Sequence, residues 1–198
     1  MNYLAHACLS FHQPEILVGN MISDFVKGKK KENYPDLIQK GIMLHRAIDA
    51  FTDTHEATRQ AKRFFSPYYR LYAGAFVDVV YDHFLANDNS EFNDRQLMDF
   101  SQETYTLLNR VTVQLPVPFA AMLPYMKKQN WLYSYRYKWG IQNSFGGLVH
   151  RAAYLTESAP AFEVFENHYH ELHECYAAFF PDVKQMAWRH FQSLFPAL

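Results

Sequence analysis

Histidine and carboxylate side chains recur one helical turn apart in residues 41–59 of this 198-residue chain. At 100° per residue, one stripe of a helix collects His45, Asp49, Thr52, Asp53 and Glu56. A histidine nitrogen and a carboxylate oxygen at this spacing can bind the same divalent cation. The same stripe is also typical of a solvated helix face with ion pairs, so this stretch alone supports two interpretations.

A second pair of carboxylates occurs in residues 69–86, where the helical pattern is apolar almost all round. Asp78 and Asp82 lie one turn apart in this otherwise buried segment. Burying an ionised carboxylate without a partner costs several kcal/mol, and two carboxylates repel each other. We therefore favour metal ligation here over a salt-bridge network through residues such as Arg46 or Arg70.

His6 and Asp24 add two further candidate ligands. His6 lies in an apolar segment, residues 3–11, where a histidine must be partly buried and needs either a hydrogen-bond partner or a metal. Asp24 lies near the end of a predicted helix over residues 14–26, where the negative end of the helix dipole disfavours a carboxylate. A cation must compensate it, and residues 27–31 supply lysines that are either this compensation or a solvated loop.

The elements that must position these residues are predicted to be helices. Strand alternation is nearly absent, which predicts an all-α fold of about seven to nine helices. Beyond the segments above, helical spacing predicts helices at 56–67, 90–113, 131–139, 140–151 and, as one or two helices, 160–195. Apolar residues make up 49% of the chain and only seven glycines interrupt it, so we expect one ordered domain over residues 1–198.

Charge and targeting patterns exclude some partners. The formal net charge of −1 argues against a wholly basic nucleic-acid-binding protein. The first residues lack a basic segment followed by an apolar one, and no apolar run approaches ~18 residues, the length needed for a membrane-spanning helix. We therefore expect a cytoplasmic protein with neither nucleic acid nor membrane as a partner, and the oligomeric state stays open.

Several segments together resemble the acyl carrier protein phosphodiesterases, also called ACP hydrolyases. They are residues 2–6, 19–28, 41–55, 78–85 and 140–151. The resemblance implies a single helical phosphodiesterase domain, a distorted relative of the HD-domain metal phosphohydrolases. The chain departs from the HD pattern because His45 is followed by Arg46 instead of aspartate, and because Asp82 precedes His83 instead of following it.

The activity implied by this resemblance is removal of 4'-phosphopantetheine from the serine of holo-acyl carrier protein, by attack of a metal-activated water on phosphorus. We expect His6, Asp24, His45 and Asp78 to be the metal ligands. Asp82 and Asp49 are then a further ligand, an orienting group or the general acid, and Arg46 neutralises the phosphoryl oxygens. Mixed imidazole and carboxylate ligands favour Mn, with Mg as the alternative.

Acyl carrier proteins are strongly acidic, so the implied protein partner requires a basic surface near the metal. The candidate residues are Lys27, Lys29, Lys30, Lys31, Arg59, Lys62 and Arg63. Two alternatives stay open at this point. One is an HD-type phosphohydrolase of a nucleotide or another small phosphoester, and the other is a non-catalytic helical module that binds an acidic partner.

Overall fold

The computed structural model describes residues 1–195, which form helices joined by short loops, with no strand among them. The α-helices are α1 (Tyr3–Cys8), α2 (Pro14–Ile22), α3 (Asp36–Thr54), α4 (Glu56–Tyr69), α5 (Ala73–Asn87), α6 (Asp94–Arg110), α7 (Val117–Lys128), α8 (Trp131–Ser134), α9 (Lys138–Arg151), α10 (Ala159–Asn167) and α11 (Tyr169–Leu194). Short 3-10 helices span Ser23–Phe25, Gly28–Asn33 and Arg70–Tyr72. None of the described helices is both long and apolar enough to cross a membrane.

The predicted all-α class is confirmed, but several predicted helices are divided. The helix expected over residues 14–26 ends at Ile22 and continues as a 3-10 turn that carries Asp24. The stretch 41–59 breaks at His55, whose extended backbone ends α3 and whose ring Nδ1 accepts a hydrogen bond from Ala57 N, so that it caps α4. The count of α-helices among residues 1–195 exceeds the predicted range because α1 and α7, which helical spacing did not single out, are also helices.

A close contact between α2 and α3 organises the region around the candidate ligands. A Cβ atom on Gly19 would lie 2.1 Å from the carbonyl oxygen of Ile38, and one on Gly41 would lie 2.3 Å from that of Ile16. Only glycine allows the two backbones to approach this closely. Asn20 on α2 is consequently brought against His45 on α3.

Helix α1 depends on α5 for its position. It has only six residues and its N-cap residue, Asn2, makes no side-chain cap hydrogen bond. Asp82 on α5 supplies the cap instead, since its Oδ2 accepts from Leu4 N at 2.7 Å and its Oδ1 accepts from Ala5 N at 3.1 Å. A helix this short is unstable alone in water, so this contact holds α1, and with it His6, in place.

His83 joins α5 to two later helices in the core. Its Nδ1 donates to the carbonyl oxygen of Tyr135 at 2.7 Å, and its Nε2 lies 3.0 Å from the hydroxyl of Tyr169. Burial lowers the pKa of His83 to about 4, although the Tyr135 carbonyl opposes this effect. The folded state therefore favours the neutral ring.

We predict that His83 contributes stability that is lost in acid. The unfolded ring titrates near 6.5 and the folded ring near 4, so protonation favours unfolding as the pH falls through this window. The difference in unfolding free energy between the wild type and His83→Gln should shrink by about 3 kcal/mol from pH 7 to pH 4. Urea denaturation at both pH values measures this difference, and a pH-independent difference would contradict the prediction.

Candidate metal centre

Two histidines and an aspartate from α1 and α3 meet in one cluster. Among residues 1–195, His6, His45 and Asp49 are the group whose ligand atoms all lie within 4.8 Å of one another. Asp49 Oδ1 lies 3.2 Å from His6 Nε2, and Asp49 Oδ2 lies 3.0 Å from His45 Nε2. The two imidazole rings stack with their centroids 3.9 Å apart. The carboxylate of Asp49 thus bridges the two rings.

Asp24 lies at the solvent side of this cluster. Its Oδ1 is 3.1 Å from His45 Nε2, and its side chain is 64% exposed, compared with 39% for Asp49 and almost none for the histidines. Hydrogen bonding with His45 lowers the pKa of Asp24, against the opposing effect of burial. The cluster therefore has buried nitrogens on one side and accessible carboxylate oxygens on the other.

Asn20 orients both imidazole rings. His6 Nδ1 donates to the Asn20 side-chain oxygen at 2.8 Å, and His45 Nδ1 donates to the Asn20 main-chain oxygen at 2.7 Å. The Asn20 amide nitrogen donates to the carbonyl oxygen of His6 and to the hydroxyl of Ser10, which fixes its side-chain oxygen as the acceptor. Both Nε2 atoms consequently face the carboxylates, as in metal-binding histidines whose other nitrogen is held by a neighbour.

The surroundings of His6 Nε2 indicate whether the cluster can hold a cation. It is buried and makes no hydrogen bond, although Asp49 Oδ1 lies 3.2 Å away. Burial and the neighbouring His45 lower the pKa of His6 to about 4, so its Nε2 presents a lone pair to a carboxylate oxygen. Two electron-rich atoms held this close repel each other, and a cation bound to both would relieve the repulsion. The residues therefore fit a divalent cation.

Without a bound cation, the pKa of His45 is shifted in the opposite direction to that of His6. Burial disfavours its charged form, but hydrogen bonds with Asp24 and Asp49 outweigh burial and raise the pKa of His45 to about 9. Burial raises the pKa of Asp49, but the hydrogen bond with His45 and the nearby amino group of Met1 hold it far below its ordinary value. The carboxylates thus remain negatively charged, and a bound cation would replace the proton of His45.

Of the four residues predicted as metal ligands, the structure brings together His6, His45 and Asp24. It places Asp78 apart from them, with Oδ1 3.0 Å from the amino nitrogen of Met1, which in turn lies 3.6 Å from Asp49 Oδ1. Burial raises the pKa of Asp78. Asp49, predicted as a catalytic or further ligating group, is the carboxylate that contacts both histidines in the described structure.

The other two residues predicted to be catalytic make contacts elsewhere. Both carboxylate oxygens of Asp82 accept hydrogen bonds from the first amides of α1. Arg46 Nη2 donates to the carbonyl oxygen of Val26 at 2.8 Å and so ties the segment after Asp24 to α3. Both side chains support elements that carry ligands, and neither contacts the cluster itself.

Two of the remaining stripe residues, Asp53 on α3 and Glu56 on α4, lie on a solvated face. Asp53 pairs with Lys62 at 2.7 Å, and Glu56 pairs with Arg59 at 2.6 Å. Thr52 is buried and its hydroxyl donates to the main-chain oxygen of Ile48. The stripe is therefore divided: His45 and Asp49 enter the cluster, whereas Asp53 and Glu56 form surface ion pairs.

Among the predicted basic residues, Lys27, Lys29 and Lys30 are exposed and Lys31 is partly buried. None of these four makes a salt bridge within residues 1–195, whereas Arg59 and Lys62 are already paired. The lysines follow Asp24 directly along the chain, and Arg63 is exposed on α4. Residues 27–31, which we call the lysine segment, are thus the part of the predicted patch whose positive charges are near the cluster and are not paired with a carboxylate in the described structure.

Sequence reasoning did not single out Asn20 as a functional residue. Its one signal was its position a turn before Asp24 and directly after Gly19. An amide on a buried helix face beside a required glycine indicates a polar contact between closely packed helices. The identity of its partners depends on how α1 and α3 pack, which periodicity does not specify.

We predict that Asn20→Ala weakens Mn binding about 10- to 100-fold, because the His6 ring loses the side-chain oxygen that orients it, whereas His45 keeps its main-chain acceptor. Isothermal titration with Mn measures this change. Asn87→Ala is the control, since the Asn87 amide nitrogen likewise donates two hydrogen bonds, both to main-chain oxygens, but lies away from the cluster. Equal Mn affinity in the two variants would contradict the orienting role.

Comparison with known proteins agrees with the resemblance found in the sequence. A family model described as acyl carrier protein phosphodiesterase matches residues 1–183. Proteins named acyl carrier protein phosphodiesterase from Yersinia pestis and Serratia proteamaculans are each 32% identical over 188 residues, covering 94% of this chain and 97% of the relative. A protein of the same name from Enterobacter sp. is 30% identical over 182 residues, covering 91% of this chain and 94% of that relative. No solved structure shows significant similarity. The chain therefore belongs to the acyl carrier protein phosphodiesterase family.

Proposed function

We propose that this protein hydrolyses the phosphodiester bond between 4'-phosphopantetheine and the serine of holo-acyl carrier protein, with a divalent cation at the cluster. The observation that carries the proposal is the buried, unpaired nitrogen of His6 facing Asp49, in a chain of this family. The names of the relatives supply the substrate class. The products are apo-acyl carrier protein and 4'-phosphopantetheine.

Four residues would hold the cation: His6 and His45 through Nε2, and Asp49 and Asp24 through carboxylate oxygens. When bound, a divalent cation supplies Lewis-acid stabilisation of phosphate charge and a source of hydroxide near neutral pH. The mixture of imidazole and carboxylate favours Mn over Mg, which prefers oxygen ligands alone.

Other features of the chain orient the two histidines, close one side of the site and supply positive charge for the phosphate. Asn20 holds a proton on Nδ1 of both histidines, which keeps each Nε2 directed at the carboxylates. The buried rings close the inner side of the site, so a phosphodiester reaches it from the side where Asp24 is exposed. Lys27, exposed and just after Asp24, provides positive charge for the phosphate on that side.

Mass spectrometry of the carrier protein tests the reaction. Purified protein is incubated with holo-acyl carrier protein and Mn, Mg or a chelator, and the carrier protein is weighed for loss of the arm. We expect conversion to the apo form with Mn and none with the chelator. Absence of conversion with either metal, in protein whose circular dichroism is helical, would overturn the proposed function.

The lysine segment is the proposed docking surface for the carrier protein. It is positively charged, exposed except for the partly buried Lys31, without salt bridges in the described part of the chain, and begins three residues after Asp24. Positive charge at the rim of an interface raises the rate of association with an acidic partner and makes that rate sensitive to salt. Arg59, Lys62 and Arg63 would extend this surface along α4.

We predict that Lys29→Glu/Lys30→Glu/Lys31→Glu raises KM for holo-acyl carrier protein about 10-fold at low salt, with kcat nearly unchanged, because rim charges act on association. The difference in KM between this variant and the wild type should decrease as the salt concentration increases. Lys127→Glu/Lys128→Glu is the control, as both lysines are exposed at the end of α7. A similar KM increase in the control would refute docking at the lysine segment.

A further inference from the structure

A cavity of about 530 Å³ lies between the start of α1 and the helices α8 and α9. Aromatic side chains line it, including Tyr3, Trp131 and Trp139, together with the polar side chains of Asn143, Ser144 and Arg151. This size and this combination of apolar walls with a few polar groups are typical of small-molecule sites. We propose that this cavity holds the pantetheine arm of the substrate, an inference that rests on the proposed function.

Helix α1 contributes a residue to the cavity and a residue to the cluster. Tyr3 lines the cavity and lies three residues before His6, so the two side chains are neighbours on the helix surface. Burial raises the pKa of Tyr3, and the charges of Asp24 and Arg151 both act on it. Tyr3 is therefore within electrostatic range both of the carboxylate at the open side of the cluster and of the arginine of the cavity.

The chemistry of the cavity matches that of the arm. Pantetheine is an extended chain with two amide groups, a hydroxyl, a dimethyl-substituted carbon and a terminal thiol. Asn143, Gln129 and Ser144 offer donors and acceptors for its amides, and the two tryptophans offer apolar faces for the carbon chain. Asn2, held by a hydrogen bond from its amide nitrogen to the Tyr135 hydroxyl, leaves its side-chain oxygen available as a further acceptor.

Two larger cavities do not have this relation to the cluster. One, of about 790 Å³, is lined mainly by residues of α11 and the loop after α5. The other, of about 710 Å³, is lined mainly by α6 and the loop after it, with the starts of α2 and α3. Neither includes Asn2, Tyr3 or a cluster residue among the described residues that line it.

Two adjacent glycines of α9 allow a matched test. Gly147 lines the cavity, and a Cβ atom there would meet only the Arg151 guanidinium, at an ordinary 3.5 Å. Gly146 does not line the cavity, and a Cβ atom there would have nothing within 4 Å. Both are interior to a helix, so leucine suits the backbone at either position. Gly147→Leu fills the cavity, and Gly146→Leu makes the same chemical change outside it.

Calorimetric titration with pantetheine, which lacks the phosphate, tests arm binding separately from hydrolysis. We expect the wild type and Gly146→Leu to bind pantetheine, and Gly147→Leu to bind at least 10-fold more weakly while its Mn affinity is unchanged. KM for holo-acyl carrier protein should rise in Gly147→Leu alone. No binding of pantetheine to the wild type, or equal affinity in the two variants, would overturn the inference. Failure of the proposed function has a different signature: the wild type binds pantetheine but leaves holo-acyl carrier protein intact.

Discussion

Asp49→Asn is expected to lower kcat/KM for holo-acyl carrier protein on the order of a thousandfold and to abolish tight Mn binding. Among residues 1–195, Asp49 is the one carboxylate that contacts both histidine Nε2 atoms, at 3.2 and 3.0 Å. The amide of asparagine keeps the shape of the side chain but removes the negative charge that a divalent cation requires. Carrier-protein mass and calorimetric titration with Mn measure the two effects.

Asp53→Asn is the control for this change. Asp53 lies one turn further along α3, and its 70% exposed side chain pairs only with Lys62 in the described structure. The control should retain nearly full turnover and Mn affinity, because an exposed ion pair contributes little. Turnover of Asp49→Asn within 10-fold of this control would remove Asp49 from the proposed ligand set.

Asp78→Asn then distinguishes the ligand set expected from the sequence from the one that the structure suggests. Asp78 contacts the Met1 amino group and lies outside the group of atoms within 4.8 Å. We therefore expect Asp78→Asn to keep much of the Mn affinity that Asp49→Asn loses. A larger loss of Mn affinity in Asp78→Asn than in Asp49→Asn would support the ligand set predicted from sequence.

Asp82→Ala is expected to lower the unfolding free energy by about 3 kcal/mol and to reduce turnover strongly. The change leaves the buried amides of Leu4 and Ala5 without an acceptor, at about 1–3 kcal/mol each. Part of this loss is offset, because burial raises the pKa of Asp82 to about 7 and its ionised form is therefore costly in the wild type. We expect turnover to fall because release of α1 would displace His6 from the cluster.

Urea denaturation and Mn titration of Asp82→Ala and Asp82→Asn test this prediction together. Asparagine keeps one acceptor oxygen, so its effect on stability should be intermediate. Loss of Mn binding with unchanged stability in either variant would instead identify Asp82 as a ligand, the role considered from sequence. Unchanged stability together with full Mn binding would show that α1 does not depend on this carboxylate.

Local patterns in the sequence were enough to predict the helical class and to single out the four residues proposed to hold the cation. Helical periodicity without strand alternation is a local property, so the all-α class follows from it directly. The spacing of His45 and Asp49 likewise places them one turn apart on α3 in any packing. His6 and Asp24 were recognisable because a histidine in an apolar segment and a carboxylate at a helix end both require partners.

Tertiary structure alone decided which carboxylates join the histidines. Asp78 and Asp82 have the same spacing and apolar surroundings, yet one contacts the Met1 amino group and the other caps α1. Asn20 acquires its two histidine partners only because Gly19 and Gly41 let α2 and α3 approach closely. Residues far apart in sequence are positioned by helix packing, and packing depends on the shapes of both surfaces in contact, which a pattern along one helix does not contain.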